Sequence, residues 1–488
     1  MSARILMFHR ALYAASDLPW DTESPAGITS IEREIDTKGM SGNIIVIGAG
    51  AAGLMAAAAA AVNGNKVTII EKNEKAGKKI YITGKGRCNL TNDCDTADFF
   101  NHVARNHRFL YSAVYGFDHE MVREFFESNG CPLKVERGNR VFPVSDHASD
   151  VTAALLRRLK KNGVQIIYHT AVQRILTEET PDGEENSVRR VRGVRLNNGR
   201  EMKADAVILC TGGLSYPSTG STGDGLAMAR ELGVEVTATA PSLVPFETKE
   251  TWCRSLQGLA LKNVSVRLFP MDSPAREPDA DPGSGRKKAK SGKKNRPVYE
   301  AFGEMLFTHF GLSGPIILTA SCYCDFSANP YGFRLSLDLK PALTQQQLEE
   351  RIAREFTAAP DRHLPGAVRP LFPARLAEAV TELSGLDTHR RAASFSGQEI
   401  SRLAALIKSI PITVTGTRGY NEAIITRGGI SVKELNPSTM EFRKIRGLYA
   451  AGEVLDVDAE TGGFNLQIAW STGRLAGMSA AQETPDRE

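Results

Sequence analysis

Cysteine is sparse in this chain: seven among 488 residues, at positions 88, 94, 131, 210, 253, 322 and 324. They are odd in number and scattered, so they form no disulfide framework and no zinc-type C-x-x-C pair, which points to a reducing cytoplasm. Cys322 and Cys324 stand as C-x-C, read here as alternation on an apolar strand or helix. No apolar run reaches the roughly 18 residues needed to cross a bilayer, so a soluble protein is expected. Charge of one sign is also lacking; a net +4 calls for neither nucleic acid nor an anionic membrane as partner. Residues 1–42 contain no continuous apolar core of a secretory signal, and their acids argue against a transit peptide. Residues 1–39 are expected to be a disordered extension or an overcalled start, with Met40-Ser41-Gly42 the natural beginning. What remains is ordinary for a globular protein, 42% hydrophobic and 24% charged, and long enough for two or three domains.

The organising stretch is Asn43 to Glu71. Ile44 to Ile47 is a β-branched apolar run, as for a strand buried on both faces. Gly48, Gly50 and Gly53 follow at G-x-G-x-x-G spacing and open a helix at Ala51 and Ala52. The first glycine allows a tight turn, the second lets a pyrophosphate approach the backbone, and the third lets helix and strand pack closely. Free N–H groups at the helix start would face the phosphates, aided by the helix dipole. Lys66 to Ile70 is the next strand, and Glu71, 23 residues after Gly48, is placed to accept from ribose hydroxyls. An acid there disfavours a 2′-phosphate, so the tightly held ligand is FAD or NAD rather than NADP. Because no second such fingerprint exists, a nicotinamide donor (NADH or NADPH) would bind only transiently.

Lys72 to Asp93 is dense in Gly, Lys, Arg and Asn and reads as a loop wrapping a phosphate-bearing ligand. Lys78, Lys79, Lys85 and Arg87, with Gly84 and Gly86 around Lys85, are its candidate contacts. Phe99 to Gly130 reads as helical, Ser149 to Asn162 as a helix, and Val164 to Tyr168 as a strand. Val188 to Asn197 and Glu201 to Ala204 suggest a β-meander across an Asn-Asn-Gly turn. Asp205 to Gly213 is an apolar strand ending in T-G-G, with Thr211 and Gly212 expected beneath the dinucleotide. Beyond Pro241, Val244 to Phe246, Val264 to Phe269, Glu304 to Thr308 and Phe333 to Asp338 read as strands without crossover helices. Gln345 to Glu355, Pro373 to Ser384 and Gln398 to Ile407 read as helices of the same insertion. Within it, residues 270–297 form a polar loop whose basic part, Arg286 to Arg296, has no interleaved aromatic residue for base stacking. Finally, Leu448 to Ala451 is a short strand ending at Gly452 and Glu453, and a helix begins near Asn465 and Leu466, after Gly463. In a flavin site that acid can bond the ribityl hydroxyls, and the helix N-terminus can face the flavin edge where negative charge gathers.

Four stretches carry a resemblance: G-K-G-R-C-N at Gly84 to Asn89, T-G-G-L-S-Y-P-S-T-G-S-T-G-D-G at Thr211 to Gly225, F-T-H-F-G-L-S-G-P at Phe307 to Pro315, and G-E-V-L-D-V-D with G-G-F-N-L-Q between Gly452 and Gln467. The chain resembles the BaiN/YhiN-like family of FAD-dependent oxidoreductases from about Asn43 to Gly477. The resemblance implies an α/β fold: a Rossmann-like FAD-binding domain of glutathione-reductase type, split by an inserted β-barrel-like domain with helices. Expected boundaries are 43–241 and 413–482 for the FAD-binding domain and 242–412 for the insertion. FAD contacts carry over to Gly48, Gly50, Gly53, Glu71, Lys72, Arg87, Cys88, Glu453 and Asn465. Around them, Ala51, Ala52, Lys79, Gly86, Asn89, Thr211, Gly212, Gly452, Gly463 and Leu466 complete the expected cofactor set; no metal is expected.

The family implies reduction of the conjugated double bonds of a 3-oxo bile-acid-type enone, or alternatively amine (aminoacetone-type) oxidation. A third reading, an RNA-modifying flavoprotein, would use the basic loop. For enone reduction a proton donor and an enolate-holding group are needed, and His309, Tyr216, Tyr420 and Arg87 are the candidates. The expected partner is a small molecule, with neither nucleic acid nor membrane expected.

Overall fold

The computed structural model describes residues 42–62, 64–182, 186–271 and 296–482. The expected N-terminal extension before Gly42, and most of the 270–297 loop with nearly all of its basic stretch, lie outside them. The chain divides into two compact units, one up to Thr239 and again from Gly428, the other from Ala240 to Arg427.

The first unit is built on a five-stranded parallel sheet. Its strands run in the order Leu448–Ala450, Ala206–Leu209, Asn43–Ile47, Lys66–Ile70, Gln165–Ile167. Ile44 lies between Ala206 and Val67, and Ile47 between Leu209 and Ile70. The central strands read as continuous apolar runs because both faces are covered. Two antiparallel three-stranded sheets complete the unit; one contains the expected meander, Asn186–Leu196 and Glu201–Lys203, with a further strand, Val172–Asp182, that was not expected.

The alanine run after the glycine turn is explained by two neighbours rather than one. Helix Ala51–Ala60 packs on the sheet and also against the terminal helix, Phe464–Gln482. At Gly473 and Gly477 an added Cβ would overlap the carbonyl oxygens of Ala52 and Ala56, so the two backbones meet with almost nothing between them. Small residues on both helices make that approach possible.

Phe99 to Gly130, read from sequence as helical, is instead broken into Thr96–Phe99, 3-10 turns, Tyr111–Gly116 and His119–Ser128. Phe117 leaves helical backbone (φ −156°, ψ 80°) and ends one helix, and Asp118 caps the next by accepting from the Met121 N–H at 3.0 Å. Within Lys72 to Asp93, read as a loop, Lys78–Ile82 is helical.

In the second unit a closed six-stranded barrel runs Phe246–Thr248, Gly311–Ser313, Tyr299–Phe307, Ala260–Pro270, Phe333–Asp338, Ile410–Thr417. Strand alternation packs Val264, Val266, Leu268, Leu335, Leu337, Ile412 and Val414 into one core. Helices Gln345–Ala358, Ala374–Leu383 and Gly397–Lys408 share that core. The first and last begin with reciprocal capping boxes, Thr344 with Gln347 and Ser396 with Glu399. Cys322 and Cys324 are both buried, but only Cys322 is helical, at the end of helix Pro315–Cys322; Cys324 lies beyond the cap Tyr323, so the pair does not alternate on one element.

Candidate cofactor and catalytic site

The site is assembled at the C-terminal ends of the parallel strands of the first unit, where ligands of such sheets bind. Gly48 ends the first strand with φ +100°, and a Cβ there would stand 2.6 Å from the Cys210 carbonyl oxygen. Gly53 lies against Gly48 in the same way, so turn and helix touch backbone to backbone. At Gly50, the helix N-cap, no side chain caps the helix and nothing lies within 4 Å of an added Cβ. Ala51 is half-buried and Ala52 buried. Uncapped N–H groups beside free space are what a pyrophosphate needs.

Glu71 is buried. One carboxylate oxygen accepts from the Ala49 N–H at 2.7 Å, and the other from the Asn73 N–H at 2.8 Å and its side-chain amide at 2.7 Å. The acid therefore ties the second strand to the glycine turn, and its remaining lone pairs are those left for a ribose. Lys72 pairs with Asp224 at 2.7 Å and Thr222 at 2.5 Å.

The G-K-G-R-C-N loop is a run of left-handed backbone: Gly84, Lys85, Gly86 and Cys88 all have φ between 56° and 86°. A lysine and a cysteine in that region mark a loop held by its surroundings. Cys88 is fully buried, its thiol pushed up to about 12 by burial, so it acts as packing and not as a nucleophile. Arg87 turns to Asp146 at 2.6 and 2.8 Å and to Glu136, and lies over the Phe142 ring at 4.1 Å. Its hydrogen bonds to the Glu136 and Asp146 carboxylates hold the guanidinium charged even more firmly than usual. Asn89 carries a buried side-chain oxygen with no hydrogen-bond partner among the described residues. A buried acceptor without a donor costs about 1–3 kcal/mol unless a ligand supplies one.

The flavin-side residues converge from three distant segments. Thr211 and Gly212 follow strand Ala206–Leu209, and Gly452 follows strand Leu448–Ala450, its N–H donating to Thr472 at 3.0 Å. Glu453 is held by Lys79 and Ser215, with all three distances at 2.5–2.6 Å. Gly462 and Gly463 lead into the terminal helix; a Cβ at Gly463 would overlap the Thr91 carbonyl. Asn465 does not project freely. Its side chain bonds the Ala459 N–H at 2.9 Å, the Ala459 carbonyl at 2.7 Å and the Glu460 carbonyl at 3.3 Å, closing the loop before the helix. Leu466 is half-buried beside it.

The four proton-donor candidates fall in both units. Arg87 and Tyr216 are in the first. Tyr216 is half-buried with φ 49°, its carbonyl accepting from Thr219. His309 and Tyr420 are in the second, in turns at one rim of the barrel: His309 is exposed and packs edge-on against Phe310, over which Arg418 stacks at 4.7 Å.

Ser215 and Asn73 were not singled out from sequence. Ser215 lies inside the T-G-G-L-S word, but a buried serine bonded to residues 136 and 238 positions away leaves no local signal. Among the described residues no cluster of three or more His, Cys, Asp or Glu could hold a metal ion. The open helix start, acids at two strand ends and the orphaned Asn89 acceptor fit FAD.

Comparison with known proteins agrees. Residues 42–479 match the HI0933-like protein Rossmann domain. The chain is 30% identical to the 3-dehydro-bile acid delta(4,6)-reductase of Clostridium scindens, over 90% of this chain and 98% of that one. It is 29% identical to the ribosomal RNA dihydrouridine synthase of Haemophilus influenzae over the same shares, and 29% identical to that of Escherichia coli over 88% and 95%. The chain belongs to the HI0933-like Rossmann-domain family of FAD-dependent oxidoreductases.

Proposed function

We propose that this protein reduces a carbon–carbon double bond conjugated to a carbonyl, with NADH or NADPH as donor and a 3-oxo steroid or bile-acid-type enone as substrate. The observation that carries this reading is that relatives with different substrates share one reaction. A delta(4,6)-reductase of a 3-dehydro bile acid acts on double bonds conjugated to the 3-oxo group. Dihydrouridine arises by adding hydrogen across the uracil C5=C6 bond, which is conjugated to the C4 carbonyl.

Bound FAD would supply the hydride carrier between nicotinamide and the β-carbon of the enone. The protein's own tasks are to hold the cofactor, to stabilise charge on the carbonyl oxygen and to deliver a proton to the α-carbon. Arg87, neutralised by Glu136 and Asp146, is a poor proton donor; in this reading it fixes the G-K-G-R-C-N loop. Tyr216, His309 and Tyr420 are the proposed donors. The N-terminus of helix Phe464–Gln482, set by Asn465, offers positive potential to the flavin edge.

A second reading replaces the steroid by a uracil of RNA. It is supported by the two dihydrouridine-synthase relatives, which bear directly on the expectation of no nucleic-acid partner, and by the basic stretch Arg286 to Arg296.

Anaerobic titration of the purified holoenzyme with NADH and NADPH, followed by enones, uridine-containing RNA or amines, separates the readings. Reduction of the flavin by NADH or NADPH and its reoxidation by a 3-oxo-4-ene support the proposal. Reoxidation by RNA alone selects the second reading. Reduction by amines, with peroxide formed in air, would replace both.

A further inference from the structure

Three side chains from remote parts of the first unit meet in a closed ring. Lys79 comes from helix Lys78–Ile82, Ser215 from the loop after strand Ala206–Leu209, and Glu453 from the turn Gly452–Val454 after strand Leu448–Ala450. The Lys79 ammonium donates to one Glu453 oxygen at 2.5 Å and to the Ser215 hydroxyl at 2.6 Å; that hydroxyl donates to the other Glu453 oxygen at 2.5 Å. Ser215 is fully buried, and the side chains of Lys79 and Glu453 are 22% and 11% exposed.

Each carboxylate oxygen thus has its own donor, and the two donors are bonded to each other. A carboxylate held at both oxygens cannot swing about its last torsion, and charge-assisted bonds of this kind are the stronger class. The loop carrying Ser215 is itself fixed: Tyr216 sits in the left-handed region at φ 49°, and its carbonyl accepts from the Thr219 N–H at 2.9 Å and hydroxyl at 2.8 Å.

We infer that Ser215 and Lys79 are positioning residues that aim the Glu453 carboxylate at the ribityl side of FAD, so that cofactor affinity depends on them through Glu453. The inference rests on the FAD reading of Glu453. Its physical content is preorganisation: an acceptor already fixed loses little freedom when a hydroxyl binds it.

The test is a double-mutant cycle on the holoenzyme, read as the FAD dissociation constant from flavin released on dilution and from the visible flavin spectrum. Ser215→Ala and Glu453→Gln are each expected to weaken FAD binding about tenfold. In the Glu453→Gln background Ser215→Ala is expected to add less than about twofold, because the residue it aims is gone. Lys79→Gln, at a partly exposed position, gives the same cycle should the buried variant fold poorly. Equal losses in both backgrounds, or full FAD retention by Ser215→Ala and Lys79→Gln while Glu453→Gln weakens it, would overturn the inference. Unchanged affinity in Glu453→Gln would instead remove the reading of Glu453 on which it stands.

Discussion

Gly477 gives a prediction whose sign depends entirely on packing. On an exposed helix, replacing glycine by alanine stabilises by about 0.8–1.0 kcal/mol, through lost backbone freedom in the unfolded chain. At Gly477 the new methyl would overlap the Ala56 carbonyl oxygen and stand 3.0 Å from the Ala59 Cβ. Neither neighbour is a flexible side-chain end: both belong to helix Ala51–Ala60, held between the sheet and the terminal helix. Overpacking a fixed contact costs about 1–3 kcal/mol, which exceeds the propensity gain over most of its range. Gly477→Ala is therefore expected to destabilise the first unit by about 1 kcal/mol. Urea unfolding followed by the fluorescence of Trp470, fully buried on the same helix, reads this directly. Gly397→Ala is the control; it opens helix Gly397–Lys408 with nothing within 4 Å of its Cβ, and is expected to leave the midpoint unchanged or slightly raised. A midpoint for Gly477→Ala at or above that of the unsubstituted protein would refute the close-packed helix pair.

His102 predicts a pH dependence. Its ring stacks on Phe464 at 4.4 Å, and Nδ1 lies 2.8 Å from Glu460. The hydrogen bond that the ring donates to the Glu460 carboxylate is the main cause of its raised pKa, with the charges of Glu460 and Asp98 adding. A raised folded-state pKa means that this stabilisation is fully present below the unfolded value, about 6.5, and is lost as pH rises through the higher folded value. His102→Gln should flatten stability against pH across that window, and an unchanged profile would contradict the assignment. The cysteines give a chemical check: all seven are buried, with Cys94 and Cys131 pushed up to about 11 and Cys88 and Cys253 to about 12 by burial. A disulfide reagent at neutral pH should titrate seven thiols only after unfolding, and rapid native labelling would refute their burial.

The parts of this protein legible in its sequence are those whose physics is local. The Asn43 to Glu71 unit could be read because strand, turn, helix and acid lie within thirty residues, each with its own periodicity or glycine requirement. In the second unit the strands around Val264 to Phe269, Glu304 to Thr308 and Phe333 to Asp338 and the capped helices were legible for the same reason, whereas the barrel strands Gly311–Ser313 and Ile410–Thr417 were not read. The break at Phe117 and Asp118 was not, since apolar spacing continues across it and only a cap, seen in hindsight as an aspartate before a helix, ends the run. The second partner of the alanine run lies some four hundred residues on, and nothing in either helix names the other. Asn465 was expected at the cofactor, yet its amide is consumed by the Ala459 and Glu460 backbone. Arg87 likewise meets Glu136 and Asp146, 49 and 59 residues away. Side-chain bonds of this kind, whether to backbone five or six residues back or to acids tens of residues on, carry no spacing rule.

The central claim is that the flavin of this protein hands its electrons to a double bond conjugated to a carbonyl. Its most direct test is a single turnover: holoenzyme photoreduced without nicotinamide, then mixed anaerobically with a 3-oxo-4,6-diene bile acid while the flavin absorbance is followed. Return of the oxidised flavin spectrum, with one double bond saturated per flavin, is the predicted result. A flavin that stays reduced with every conjugated carbonyl offered, uracil in RNA included, yet reoxidises at once in air would contradict it.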